Sequence, residues 1–249
     1  GRKQVEALAE EGVDTSRIKL VNGVESGQAY ITIDKNGSNF IETLFGANHE
    51  FLPDDLLERS RVSAIKECKV IAISDPVVPT AEMIATMGAE RGATILFDPG
   101  TRLRAGLDTL KGVLKNTSIL VMNSVESKKL TGSIDPLEVR MKLRKYDLDI
   151  GIIVKLGGRG SAFASRGDEK VVTPSFPLEK FGLRLVSTVG CGDAFFGVLA
   201  AALAQGFSEK EAIERANLAG GLKATKAETR GCPNKTELEK TLELWRKKR

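Results

Sequence analysis

Apolar and polar positions change rhythm along the chain, and each change predicts a different element. Val5, Leu8 and Ala9 recur at a helical period inside the charged segment 1–11, which predicts a surface helix. Residues 29–33 and 40–44 alternate instead, and they flank Asp34-Lys35-Asn36-Gly37. An Asn-Gly pair between two β-rich runs predicts a hairpin, and alternation implies one covered and one open face, as in a flap. From Leu52 onward helix and strand take turns. Helices are expected at 53–66, 80–91, 103–114, 125–130 and 137–144, with strands at 69–74, 94–97, 118–122 and 150–156. A second hairpin, 162–165 with 170–174, turns around Arg166-Gly167-Asp168. An extended run at 183–186 then precedes helices at 194–204, 209–226 and 235–247. Short, nearly continuous apolar strands between amphipathic helices predict a mainly parallel sheet covered on both faces. The expected fold class is therefore α/β, a doubly wound sheet with a small β-flap.

The chemistry concentrates in Thr188-Val189-Gly190-Cys191-Gly192-Asp193-Ala194-Phe195-Phe196-Gly197. Two glycines that break an extended run into an apolar helix deliver backbone N–H groups to one point. Those donors have no intrahelical acceptor, and the helix dipole makes the point electropositive, so an anion fits there. Asp193 sets a carboxylate at its mouth; the bland reading is an acidic residue that only favours the dipole.

In open α/β sheets ligands bind beyond the carboxyl ends of the strands. Asp75, Asp98, the pair Asn123 and Glu126, and Lys155-Leu156-Gly157-Gly158-Arg159-Gly160 all follow predicted strands. Gly157, Gly158 and Gly160 permit close approach to a polyanion, or else form an ordinary tight turn. Asn123-x-x-Glu126 suits a hydrated magnesium ion, or else a helix N-cap. His49, the single histidine, reads as an exposed loop residue, Cys191 as a small residue in a tight site, and Trp245 as packing.

Composition narrows the classes. The 249 residues are 41% apolar, 28% charged and 5% aromatic, enough for a sizeable core. A net charge of +4 suits an anionic small ligand and argues against a dedicated nucleic-acid binder. Cys68, Cys191 and Cys232 form no CxxC, which points to a reducing, cytoplasmic location and away from disulfides or zinc. No apolar run approaches the roughly 18–20 residues of a membrane span. Neither an early G-x-G-x-x-G nor a G-x-x-x-x-G-K-[ST] occurs, which disfavours a dinucleotide dehydrogenase and a Walker-type NTPase.

Ser187-Thr188-Val189-Gly190-Cys191-Gly192-Asp193-Ala194-Phe195 resembles the C-terminal signature of ribokinase-like (PfkB) carbohydrate kinases, D-[ST]-x-G-[AC]-G-D-x-F. Asn123-Ser124-Val125-Glu126 is similar to the family's N-x-x-E, and the 155–160 turn to its nucleotide-side glycine turn. Gly12-Val13-Asp14-Thr15 and Gly46-Ala47-Asn48 match segments that flank its lid strands. The resemblance implies ATP-dependent transfer of a γ-phosphoryl group to a sugar hydroxyl. In it Asp193 acts as general base, and Gly190, Cys191 and Gly192 form the anion hole. Asn123 and Glu126 act through Mg2+ and phosphate, with Glu126 reaching the metal through water. Lys155, Gly157 and Gly160 border the triphosphate, Asn217 lies by the adenine, and Ala29, Ile31 and Asp75 touch the sugar. The acceptor could equally be a nucleoside, 2-keto-3-deoxygluconate or a sugar phosphate, and a non-catalytic nucleotide-binding module is the reading from another class. The family's leading Asp, which in ribokinases helps hold a monovalent cation, is Ser187 here. Its N-terminal portion, with the first strands and a Gly-Gly-rich sugar motif, has no counterpart ahead of Gly1. The expected organisation is a single ribokinase-like domain over residues 1–249 lacking that part, with lid strands inserted at 17–46. Relatives often dimerise through the lid, so a homodimer is expected there.

Overall fold

The computed structural model of the chain describes residues 1–33, 39–75, 77–146 and 148–248. Asp34-Lys35-Asn36-Gly37, the expected hairpin turn, lies outside the described residues. Helix α1 (Arg2–Glu10) leads to a two-stranded antiparallel lid, β1 (Gln28–Ile33) with β2 (Asn39–Leu44), in which Tyr30 opposes Glu42 and Ile31 opposes Ile41. The expected helix at 53–66 is instead a 3-10 turn, Pro53–Leu57, and then α2 (Arg59–Glu67). Pro53 starts the turn and Asp55 caps it by accepting from the Leu52 N–H at 2.8 Å, so the chain tightens there and re-enters a helix one residue later.

Beyond α2 the alternation is as the hydrophobic pattern predicts. Strand β3 (Val70–Ser74), α3 (Val78–Ala89), β4 (Thr94–Asp98), α4 (Leu107–Lys115) and β5 (Ile119–Asn123) follow one another. Helices α5 (Ser124–Thr131) and α6 (Pro136–Arg144) then cross to β6 (Gly151–Lys155). The expected helix at 103–114 is split at Gly106, with a 3-10 turn (Gly100–Ala105) ahead of α4. Strands β7 (Ser161–Ala164) and β8 (Lys170–Thr173) form the second hairpin. Three helices close the chain: α7 (Cys191–Ala204), α8 (Glu209–Lys223) and α9 (Lys235–Lys247).

Six strands, β3 to β8, lie in chain order; β3 to β6 run parallel, and β7 and β8 add antiparallel. Side chains of a strand alternate between its faces, and here both faces are apolar. Ile95 and Phe97 of β4, Leu120 and Met122 of β5, and Ile152 and Val154 of β6 pack with Ala85, Leu110, Val139 and Leu143 from the crossover helices. Leu96, Ile119, Val121 and Ile153 point the other way, onto Phe195, Phe196 and Leu199 of α7 and Ile213 and Ala216 of α8. A third cluster joins Phe176, Leu222 and Leu242 to Trp245, whose ring meets Phe176 edge-on at 5.5 Å; the single Trp packs, as expected.

Residues 183–186 are not a strand. The N–H groups of Val186 and Ser187 both donate to Ala224 O, at 2.8 and 3.1 Å, so this run is tied to the end of α8 and not to the sheet. Helix α7 starts at Cys191, ahead of the expected 194, because the two glycines belong to the helix entry. Among the described residues no helix is long and apolar enough to cross a membrane.

Leu199 is fully buried between α7 and the sheet. Leu199→Ala is expected to lower the unfolding free energy by about 3 kcal/mol, read as a lower midpoint in urea denaturation followed by far-UV circular dichroism.

Candidate active site

The site is built where the parallel strands end and α7 begins. Gly190 is the N-cap of α7, with φ +82°, and a Cβ there would stand 2.6 Å from Thr229 O. Both the backbone conformation and the close approach require glycine. Cys191 donates its N–H to Thr188 O at 3.2 Å, and Ala194 donates to Gly190 O at 3.0 Å. Among the described residues, the N–H groups of Gly190, Gly192 and Asp193 have no acceptor. The open donors at this helix end are therefore those three; the expected contribution of Cys191 is taken up inside the turn.

Asp193 lies in the first turn of α7, exposed, and its carboxylate has no hydrogen-bond or ion-pair partner among the described residues. It does not cap the helix. Cys191 is half-buried, with Sγ 3.7 Å from Ser187 O; burial pushes its thiol up, while Lys223 pulls it down and Asp193 pushes it up again. A thiol held protonated is not a nucleophile, which agrees with Cys191 as a small residue filling a tight place.

Strand ends supply the opposing wall. Lys155, last residue of β6, pairs with Asp98, last residue of β4, at 2.7 Å, and the two side chains are 16% and 13% exposed. The Lys155 ammonium also lies 3.5 Å from the position a Cβ on Gly192 would take, so it reaches the first turn of α7. Between them β5 ends in Asn123, whose Oδ1 accepts from the N–H groups of Val125 and Glu126, both at 2.9 Å. Glu126 closes the box by accepting from the Asn123 N–H at 2.8 Å. The Asn-x-x-Glu pair is thus a helix cap in this structure, and it also aims a carboxylate at Asp98 and Lys155. Burial raises the Glu126 carboxyl above its ordinary 4.5; the Asn123 N–H opposes the shift, Asp98 adds to it and Lys155 opposes it.

Asp75 closes β3 in an unusual conformation for a non-glycine residue, φ +49°. Its surroundings over-determine that conformation. Its N–H donates to Asp98 O at 3.3 Å, its carboxylate accepts from Thr101 Oγ1 at 2.8 Å, and Arg102 pairs with it at 3.4 Å. Strain held in this way is characteristic of functional positions. Asp75 also lines an open cleft of ≈ 1270 Å³ between α1, the 17–28 segment and the base of the lid; residues 190–193 do not line it.

The remaining expected residues separate into two groups. Gly157 and Gly158 have open space where a Cβ would be, so a ligand can approach their backbone. At Gly160, φ +89°, a Cβ would run into Thr173 O and the Pro174 backbone, so that glycine is required by packing. Asn217 is buried, its amide donating to Ser161 Oγ at 2.9 Å and Thr173 O at 3.5 Å, which ties α8 to β7 and β8. Ala29 and Ile31 sit on the lid, opposite Thr43 and Ile41; Thr43 reaches the cleft. His49 is exposed and stacked on Phe45. Sequence reasoning missed Thr101 and Arg102, which no spacing marks, and the Asp98–Lys155 pair, whose partners lie far apart in the chain.

The pattern of pfkB family carbohydrate kinases matches residues 1–237. The chain belongs to the pfkB family. Among its pfkB relatives, a bifunctional ribokinase/ribose-5-phosphate isomerase A from Fructilactobacillus sanfranciscensis is 30% identical over 206 residues, covering 81% of this chain and 36% of that protein. The chain therefore spans little more than a third of that relative's length. Two solved structures share the pfkB-type fold. A Burkholderia thailandensis nucleoside kinase in complex with inosine superposes with TM-score 0.79 at 20% identity, covering 98% of this chain and 75% of that one. An Escherichia coli protein described as a ribokinase II in complex with ATP and Mg2+ gives TM-score 0.80 at 22% identity, covering 98% and 79%.

The raised Glu126 carboxyl has a readable consequence. A carboxyl whose folded value lies above its unfolded 4.5 contributes stability below that pH and loses it as pH rises through the folded value. Glu126→Gln keeps an acceptor for the Asn123 N–H and removes the ionisation. Its melting temperature should match the parent near pH 4 and exceed it near pH 8; a gain that is the same at both pH values would contradict this origin.

Proposed function

We propose that this chain carries the phosphoryl-transfer site of an ATP-dependent sugar kinase, with a hydroxyl of a sugar or nucleoside as acceptor. The observation that carries the reading is the first turn of α7: open N–H donors beside an unpartnered carboxylate. Donors alone would hold a phosphate; the carboxylate beside them can take a proton.

In the proposed reaction the acceptor hydroxyl lies against Asp193, which accepts its proton as the oxygen attacks the γ-phosphorus. The new O–P bond forms as the bond from that phosphorus to the bridging oxygen breaks, and ADP leaves with that electron pair. Charge that develops on the transferred oxygens meets the N–H groups of Gly190, Gly192 and Asp193 and the positive end of α7. Such donors are already oriented, so no reorganisation is needed as charge appears. This matches phosphoryl transfer, where the protein's contribution is mostly positioning and electrostatics.

The donor's phosphates would run along the open backbone of Gly157 and Gly158 toward Lys155, with Gly160 and Asn217 shaping that side from behind. Among the described residues no three His, Cys, Asp or Glu side chains converge on one point. Two carboxylates, Glu126 and Asp98, face the same space, which fits a magnesium ion that keeps most of its waters. Such an ion, when bound, neutralises phosphate charge. Glu126 would hold it through water, and Asn123 fixes where that carboxylate points.

On the acceptor side, Asp75 is a rigidly held carboxylate at the edge of the cleft and suits hydroxyl recognition. The lid, residues 17–46 within one ribokinase-like domain, would cover the acceptor, with Ala29 and Ile31 on the strand face shared with Thr43. The cleft has room for a nucleoside as well as a pentose, and the nucleoside kinase with inosine keeps that acceptor class, like 2-keto-3-deoxygluconate, in view.

Asp193→Asn should bind ATP normally while turnover falls about 10²–10⁴-fold, measured by coupling ADP release to a panel of sugars and nucleosides. Turnover unchanged in that variant would remove Asp193 as the base, and ATP binding without transfer to any acceptor would favour a nucleotide-binding module.

The lid adds an association test. Tyr30, Phe40 and Leu44 share one face of it with Glu42 and are 56%, 70% and 54% exposed, large apolar side chains that suit pairing with a second copy of the lid. Sedimentation velocity should show a dimer that Phe40→Glu converts to monomer; a monomeric parent would refute lid pairing.

A further inference from the structure

Lys223, in the last turn of α8, is completely buried. A buried ammonium is costly unless charge or hydrogen bonds compensate it. Its one hydrogen-bond acceptor among the described residues is Lys226 O at 3.2 Å, and no carboxylate pairs with it there. Packing alone would be met by leucine or methionine, so the charge needs another account.

Its position gives one. A Cβ on Gly190 would stand 3.2 Å from Lys223 Cε, and a Cβ on Gly220, one turn earlier in α8, would stand 3.3 Å from Cys191 O. The end of α8 is therefore pressed against the turn that carries the open N–H donors. The C-terminal carbonyls of α8 favour a cation at this point. The charged groups around the turn are Lys223 from α8, Asp193 from α7 itself and Lys155 from β6, while Lys226 is drawn off to Glu237 at 3.0 Å.

We propose that Lys223 is a positioning residue, a buried cation fixed behind residues 190–193 that holds the turn in shape and adds positive charge behind the transferred phosphoryl group. This rests on reading that turn as the phosphoryl site. The lysine touches neither donor nor acceptor; it acts through the Gly190–Cys191 backbone. As negative charge gathers in front of the turn, the ammonium behind it gains a counter-charge that it lacks in the resting protein. The interaction is thus stronger during transfer than before it, which is the condition for lowering a barrier.

The test uses the chain with Cys68→Ser and Cys232→Ser, which leaves Cys191 as the only thiol, and compares Lys223→Met with Lys223→Arg. The first readout needs no catalysis: the rate of Cys191 alkylation by iodoacetamide against pH. Loss of the neighbouring cation should move the thiol midpoint up by about one unit, roughly a tenfold slower reaction at pH 8, while Lys223→Arg stays within about twofold of the parent. The second readout is steady-state transfer from ATP. Lys223→Met should lower kcat about 10- to 100-fold with the KM for ATP within about threefold, and Lys223→Arg should restore most of it. An unchanged alkylation profile or an unchanged kcat in folded Lys223→Met overturns the proposal. Should Lys223→Met fail to fold, Lys223→Arg decides: a folded arginine variant with parental alkylation but kcat as low as that of a catalytically dead control also overturns it. A parent that transfers phosphate to no acceptor would refute the kinase reading alone, because the alkylation profile still reports whether the cation bears on the turn.

Discussion

The packing of α7 across the sheet is the constraint on which the site depends. This helix buries Phe195, Phe196 and Leu199 against Leu96, Val121 and Ile153, and leaves Asp193, Gly197, Ala201 and Ala204 exposed on its far side. A helix of 14 residues is about 21 Å long, close to the length of the strands it lies on. Once the apolar face is seated, its first turn has to project at one end of the sheet. Chain direction selects the end where the parallel strands finish, the same end at which Asp75, Asp98, Asn123 and Lys155 stand. Core burial and placement of the open N–H donors of that turn are therefore one event.

The electrostatics at that end are graded. Lys155 is shared between Asp98 and the mouth of the α7 turn, and Glu126 is left with more negative neighbours than burial tolerates well. Asp193 is exposed and has no partner among the described residues. The carboxylates thus differ in kind: one paired and structural, one half-buried and short of positive charge, one free. In the proposed reading the carboxylate without a partner serves as the base, and the one short of positive charge faces the cation. The difference comes from which strand end each residue occupies, not from the residue type.

Much of this was legible in the sequence where a single physical rule dominated. The apolar runs of β5 and β6 admit no reading but a buried strand, and α9 follows its amphipathic period to the residue at both ends. Gly190 and Gly192 before an apolar helix marked the glycine-built helix entry for the same reason. Reading failed where tertiary contacts decide. The extended run at residues 183–186 left strand and loop open, and only the fold shows that the Val186 N–H goes to Ala224 O and not to the sheet. Asn123 and Glu126 carry the same spacing whether they cap a helix or serve a ligand, and the structure shows that capping sets the geometry any ligand would meet. Lys223 was invisible because a lysine in a helix's last turn is ordinarily solvated; only the fold shows that this one is enclosed.

The contact between α7 and β3 has a kinetic side. It joins the first strand of the sheet to a helix that follows all the others in the chain, while the crossovers between β3 and β6 are local. Loop closure over so long a stretch is entropically slow, and contacts of high sequence separation form late. During synthesis the strands and crossover helices can therefore assemble while one face of the sheet is still bare. That greasy surface must wait for α7 and α8 to emerge, and until they do the turn at residues 190–193 is not seated at the strand ends. A nascent chain of this kind passes through an interval when it is most prone to association, and that interval ends with the docking of one helix.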